Sequence, residues 1–373
     1  MDILAAIDSF KGSASSFELN QAVLNGWEDR KGRKINVPIA DGGENTAEAI
    51  YYALGGTWRT IDGMDLLFRQ RKISYLLTNW QGKNTAVIES AQVLGLDLLD
   101  KPTDQTIRLA SSYALGELIK DTLLQEVEQI IVTLGGSGCS DGGLGLLQSL
   151  GASLEGYTEG NPLLSTRKLH LDRRNVLVSK VKVIIAADVT NPYTGQQGAA
   201  WQFGRQKGGT DTTLAFLDKQ AEKIAQQIKD VWEVDLDDIP GSGAAGGIGG
   251  ALFLLGAKMV SGFELVSQIT GLEKQIEQAD VIITGEGRID QQTIHGKVPY
   301  GVAVLAKKYR KPIIAICGSR DRELEGLFDF LPIVLSIQLG PIDLEEAMEH
   351  RQTLEKTEIL GQTLSRFFNI LPK

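Results

Sequence analysis

Residues 130 to 150 run Ile130-Ile131-Val132-Thr133-Leu134-Gly135-Gly136-Ser137-Gly138-Cys139-Ser140-Asp141-Gly142-Gly143, then Leu144 to Leu150. The opening run is short and almost wholly apolar, which reads as a buried strand of a parallel sheet. The glycines behind it read as a turn, and the stretch from Leu144 to Leu150 as a helix. The same signature recurs at Ile3 to Ile7 before Asp8, Val183 to Ala187 before Asp188, and Val281 to Ile283 before Thr284. Helical patterns lie between these runs, at Phe17 to Trp27, Ala110 to Thr122, Leu214 to Val231 and Val302 to Tyr309. Strands alternating with helices predict an α/β protein with right-handed crossovers.

Ligands of open α/β sheets gather beyond the carboxyl ends of the strands, where loops and helix N-termini converge. Asp8, Asp41, Glu89, Gly135 to Asp141, Asp188, Glu286 and Gly318 each follow or close a predicted strand. A random scatter of acids would not select that position. The turn from Gly135 to Gly143 suits a phosphate, because glycines let the backbone approach an anion with its N–H groups turned inward. A plain tight turn explains that loop, taken alone, equally well.

Gly241 to Gly250 contains the spacing of a dinucleotide fingerprint, but Asp235 to Pro240 ahead of it is no buried strand, so nicotinamide binding is discounted. Gly296-Lys297 is followed by Val298 and lacks the upstream spacing of a P-loop. Neither the protein-kinase motif set nor a G-x-S-x-G elbow is present, which also disfavours a serine hydrolase. Two segments, Asp8-Ser9-Phe10-Lys11-Gly12-Ser13 and Thr284 to Lys297, combine cations, carboxylates and hydroxyls. Phosphoryl transfer needs those types: fixed positive charge on the moving group, carboxylates for a metal, and an acceptor for the hydroxyl proton.

The chain has 373 residues, 42% hydrophobic and 23% charged, enough to bury substantial cores. With 38 Lys and Arg against 47 Asp and Glu, its net charge of -9 disfavours nucleic acid as a partner. Cys139 and Cys317 are the only cysteines and are joined by three histidines, too few for a disulfide framework or a structural zinc site. A reducing, cytoplasmic setting is expected, with no membrane-spanning segment. From Gly56 to Lys83 the pattern changes to an antiparallel hairpin, with strands at Thr57 to Ile61 and Arg69 to Leu77 and a turn around Asp62-Gly63. An inserted lobe is therefore expected: residues 1–55 plus 280–373 form one domain, and 56–279 the other.

Asp8-Ser9-Phe10-Lys11-Gly12, Asp41-Gly42-Gly43-Glu44, Gly135 to Gly143, Ala187-Asp188-Val189-Thr190-Asn191-Pro192, Gln206-Lys207-Gly208, Gly243-Ala244-Ala245-Gly246-Gly247 and Thr284 to Lys297 resemble, in order, the motifs of the bacterial glycerate kinase family. The resemblance spans nearly the whole chain. It implies two α/β domains, a Rossmann or flavodoxin-like parallel-sheet domain with a second α/β domain inserted, and an active site in the interdomain cleft. The implied reaction moves the γ-phosphoryl of ATP to D-glycerate with Mg²⁺, with 2-phosphoglycerate favoured over 3-phosphoglycerate. The alternatives are a kinase of another short sugar acid, or a non-catalytic hydroxy-acid sensor of the same fold. A homodimer is left open.

Under that resemblance Lys11, Asp188, Arg288 and Glu286 are the expected catalytic residues, and Ser9, Asp8, Asn191, Lys297 and His295 the expected substrate contacts. Gly135, Gly136, Ser137, Gly138, Asp141, Gly142, Gly243 and Gly246 are expected to bind ATP phosphates. Asp41, Glu44, Asp188 and Glu286 are the expected metal ligands. This chain departs from the family pattern at Gly138-Cys139-Ser140, where Ala-Thr-Asn is usual, and at Thr190, where an acid is usual.

Overall fold

The structure is a computed structural model and describes residues 1–28, 31–171, 180–294 and 296–370. The chain divides into two compact units, one of Met1–Asp41, Glu48–Gly55 and Gly262–Lys373, the other of Gly42–Ala47 and Gly56–Ser261. Return to the first unit falls at Gly262, earlier than the expected position near Asp280.

The first unit is built on five parallel strands in the spatial order Lys34–Asn36, Ile3–Ile7, Val281–Ile289, Ile313–Arg320, Val334–Ser336. Numbered within the unit this is 2-1-3-4-5, the doubly wound flavodoxin-like order, whose topological switch point lies between its first and third strands. Alternate residues of the central strands enter opposite cores, as a pleat requires. Leu4, Ala6, Ile282 and Ala315 pack on one face, and Ile3, Ala5, Ile7, Val281 and Ile314 on the other. Helices cover both faces, which is why these strands are apolar throughout. The helix Ser16–Gly26 begins with a capping box, Ser15 and Glu18 each accepting the other's backbone N–H. It packs against His350–Ile370, where Gly26 has no room for a side chain because the carbonyl of Glu358 lies against it.

The second unit holds a six-stranded sheet in the order Lys258–Val260, Lys182–Ala186, Gln129–Thr133, Lys83–Glu89, Gln70–Trp80, Thr57–Met64. The first four strands run parallel and the last two pairings are antiparallel. The expected hairpin is present, but its turn spans Asp65 to Arg69, while Asp62 and Gly63 lie within a strand. Asp65 decides this: its Oδ1 accepts the N–H groups of Leu67 and Arg69 at 2.8 and 3.0 Å, and its Oδ2 accepts Arg69 Nε at 2.7 Å. Its core is a single cluster that includes Ile88, Leu115, Val132, Leu147, Ile185 and Ile248. Among the described residues no helix is long and apolar enough to cross a membrane.

Candidate active site

In the first unit the chemistry collects at the switch point. The strand Ile3–Ile7 pairs in register with Val281 to Gly285 and hands on to Asp8, whose N–H donates to the Gly285 carbonyl at 2.8 Å. The third strand runs to Ile289, well past the Ile283 read from its apolar core, so Glu286 and Arg288 are strand residues and not loop residues. Pairing of Glu286 with Cys317 and of Arg288 with Ser319 in the neighbouring strand extends it.

Glu286 is buried, with Oε1 accepting the Thr293 hydroxyl at 2.6 Å and Oε2 accepting Lys297 Nζ at 2.9 Å. Lys297 also lies 3.9 Å from an oxygen of Asp290. Burial raises the Glu286 carboxyl above its ordinary range, and Thr293 and Lys297 oppose that rise. Asp8 is held well above the carboxylate range by desolvation first, then by the charge of Asp41; the Ser9 N–H opposes, at 2.8 Å from Oδ1. Glu286 adds to the rise and Lys297 lowers it. Asp8, Asp41, Glu286 and Lys297 therefore form one electrostatic group.

Lys11 is exposed on the tight loop closed by the Phe10 and Ala14 backbones, where Gly12 takes φ 74°. Arg288 is exposed as well, its Nη2 donating to Asp321 Oδ1 at 2.9 Å. With Asp290, Asp321 and Arg322 it lines a cavity of about 560 Å³. His295 lies outside the described residues.

In the second unit the loop after Gln129–Thr133 divides in function. The helix behind it, Leu144–Ser149, is short, and its N-terminal amides are already taken, those of Gly143 and Gly145 by Asp141 and that of Leu146 by the Ser112 hydroxyl. Asp141 is fully buried, and its carboxylate accepts the N–H groups of Gly143, Gly145 and Ser112 at 2.9, 3.1 and 2.7 Å, together with the Ser112 hydroxyl at 2.8 Å. Its charge shapes the loop. The N–H of Gly138 donates to Leu94 and that of Gly142 to Gly246, so those amides are committed too.

Among the described residues the N–H groups of Gly135, Gly136 and Ser137 make no backbone hydrogen bond of ordinary geometry, and Gly136 is exposed with φ 71° at the turn. Successive amides without an acceptor are the kind of group from which anion-binding concavities are built. Gly135 is required on steric grounds, since a Cβ there would sit 2.6 Å from the Cα of Gly43, in the Asp41-Gly42-Gly43-Glu44 motif.

The second glycine run explains itself by packing. Gly246 and Gly247 adopt φ 76° and 96° and bring their backbones against Ser140 and Gly142, where a Cβ would meet those residues at 2.7 and 2.6 Å. Gly243 donates its N–H to the Asn191 carbonyl at 3.1 Å. Both polar atoms of the Asn191 side chain are buried without a partner, and Asp188 stands exposed beyond the end of Lys182–Ala186.

Three residues read from the sequence only as a strand-end acid or as part of a motif prove to be buried and bonded: Lys207, Glu89 and Thr293. Lys207 is 2% exposed and donates from Nζ to the Cys139 carbonyl of the glycine loop. Burial lowers its pKa to about 8, against the pull of Cys139 and Asp141. Its signal was present in Gln206-Lys207-Gly208, but no sequence pattern tells that a lysine is buried. Glu89 accepts the Ala47 N–H at 2.8 Å and is raised to about 7 by burial, opposed by Ala47, Asn45 and Gln92. With Glu44, Arg71 and Asp97 it lines a cavity of about 170 Å³. Thr293, which braces Glu286, had no signal beyond its place in the segment.

An α/β fold with an acid and lysine group at one sheet's switch point, and an amide-lined glycine turn at the end of another strand, belongs to the class of phosphate-handling enzymes without a P-loop. The model of the glycerate kinase family matches residues 3–366. A glycerate kinase of Halalkalibacterium halodurans is 37% identical over 363 residues, covering 94% of each chain. A glycerate 2-kinase of Escherichia coli is 40% identical over 328 residues, covering 86% of this chain and 85% of that one. The crystal structure of a putative glycerate kinase 2 from Salmonella typhimurium superposes with a TM-score of 0.82 at 35% identity, covering 99% of this chain and 98% of that one. The chain belongs to the glycerate kinase family and is a kinase.

Proposed function

We propose that this kinase transfers the γ-phosphoryl of ATP to D-glycerate, forming 2-phosphoglycerate, in the cytoplasm. The observation that carries the reading is the row of acceptor-free amides at Gly135, Gly136 and Ser137, a ready cradle for phosphate oxygens. Kinship with a protein named glycerate 2-kinase supports the 2-hydroxyl as the acceptor. In this reading Lys11 and Arg288 neutralise charge on the moving phosphoryl, Arg288 letting go of Asp321 to do so. Asp188 takes the proton of the substrate hydroxyl. Lys297, Ser9 and Asn191 contact the acid, and the unpaired amide of Asn191 suits a hydroxyl or carboxylate.

Mg²⁺ fits the carboxylate group of the first unit. Burial first, and then the negative charge of Asp41 and Glu286, raises the Asp8 carboxyl, and a divalent cation would relieve the part that comes from crowded charge. Asp41 and Glu286 would hold it, and its chemistry is to neutralise phosphate oxygens. Among the described residues no group of three or more His, Cys, Asp or Glu side chains is arranged to hold a metal by itself. That suits a cation which arrives on the nucleotide and takes only one or two carboxylates from the protein.

The test is ADP release from ATP and Mg²⁺ with D-glycerate, L-glycerate, glycolate, tartronate and erythronate side by side, with the product identified by NMR. Turnover confined to D-glycerate with phosphorus on C2 is the expected result. Phosphorus on C3 overturns the regiochemistry. Turnover with a different acid overturns the substrate, and ATP binding without turnover of any acid favours a sensor.

A further inference from the structure

We propose that Thr133 and Ser90 are further ligands of the nucleotide's phosphates, extending the amide cradle of Gly135 to Ser137 down to the ends of the two strands beneath it; this rests on the reading that the glycine turn binds ATP. Both side chains are interior: Thr133 is 1% exposed and Ser90 is 0% exposed. Among the described residues both hydroxyl oxygens are buried without a hydrogen-bond partner. They are neighbours, because Ser90 donates its N–H to the Thr133 carbonyl at 3.2 Å, where Lys83–Glu89 runs beside Gln129–Thr133.

An unpaired hydroxyl in an interior is a standing penalty, and folding normally removes it by pairing or by an apolar substitution. Of the eight residues with unpaired buried side-chain atoms among the described residues, five are Ser90, Thr133, Ser140, Asn191 and Ser242. These five follow or close the strands Lys83–Glu89, Gln129–Thr133 and Lys182–Ala186, or precede the helix Ala244–Leu254. Penalties gathered at the carboxyl ends of adjacent parallel strands, where α/β sheets take their ligands, point to a ligand that completes them.

Phosphate is the chemistry that fits Thr133 and Ser90. Thr133 stands two positions before the first of three consecutive amides that also lack an acceptor, so hydroxyl and amide donors are contiguous along the chain. Each hydroxyl can turn its O–H toward the same place as the amides, and such a set of donors suits an oxyanion with many lone pairs.

The experiment uses Thr133→Val and Ser90→Ala, with Ser165→Ala as control. Ser165 has an equally unpaired buried hydroxyl, but it sits on the Pro162–Leu164 turn and not at a strand end. Melting temperature without nucleotide, KM for ATP, KM for the acid, and the ATP-induced thermal shift without acid are measured for each. Removing an unpaired hydroxyl leaves the apo melting temperature equal or higher in all three variants. KM for ATP rises about tenfold or more in the first two only, the ATP-induced shift shrinks in parallel, and KM for the acid stays within about twofold. A higher melting temperature with unchanged ATP parameters overturns the proposal and assigns the hydroxyls to ordered water. A lower melting temperature refutes the unpaired state itself, and a rise confined to the KM for the acid moves the residues to the acceptor. The nucleotide shift needs no acceptor, so it remains readable even if glycerate proves to be the wrong substrate.

Discussion

The two units place their candidate chemistry at equivalent points, the carboxyl ends of parallel strands, yet hold it by opposite means. In the first unit charges hold charges: Lys297 bonds Glu286 at 2.9 Å, Arg288 bonds Asp321 at 2.9 Å, and Asp8 is raised by burial and then by the charge of Asp41. In the second unit backbone and neutral groups do the work, with the one buried carboxylate of the glycine loop, Asp141, used up in shaping it. Under the proposed function the contrast suits two tasks: long side chains can reorganise about a moving phosphoryl, whereas a fixed set of amides is preorganised.

Four substitutions would break or sharpen that contrast, beginning with the largest expected effect. Lys297→Met removes the ammonium bonded to Glu286 and should lower kcat/KM by about 10²- to 10³-fold, measured by coupled ADP assay. A loss under about tenfold would show that the cluster is structural. Asp141→Ala strips four donors of their acceptor and should cost about 3 kcal/mol in a urea melt, because buried N–H groups are left unpaired. A loss below about 1 kcal/mol would mean that the loop keeps its shape without the carboxylate.

Glu89 yields a pH signature. Its folded pKa is raised from 4.5 to about 7, so the native state binds more protons than the unfolded chain between those values. Stability from this group is full below about 4.5 and is lost as pH rises through 7. Glu89→Gln should remove about 3 kcal/mol of that pH dependence across the window, read as melting temperature against pH; an unchanged slope would place the titration elsewhere. Smallest of all, Thr190→Asp restores the acid usual in the family at an exposed site and should alter kcat/KM by no more than about threefold. A larger change would give position 190 a direct part in the reaction.

Much of this was legible in the residues themselves. Five-residue apolar runs ending in Asp, Thr or Gly can hardly be anything but buried parallel strands, so Asp8, Gly135 and Asp188 could be placed at strand ends before any coordinates. The strand through Glu286 was cut short in the reading because Gly285, Glu286, Gly287 and Arg288 look like a loop; neighbouring strand pairing, which a single sequence does not display, carries it on to Ile289. The hairpin turn was misplaced for a related reason. Asp62-Gly63 is a common turn pair, but Asp65 captures three donors and wins.

The sequence by itself determined the strand and helix alternation, the glycine turn, the acids and lysines at strand ends, and the family, because local periodicity and short motifs are properties of neighbouring residues. Tertiary structure alone decided which of the loop's amides are already taken, that Asp141 faces its own loop, that Lys207 lies beneath Cys139, and that Thr133 and Ser90 are left without partners. Those facts depend on what residues distant in the chain bring to each donor and acceptor, and hydrogen-bond satisfaction is fixed only when the chain has folded.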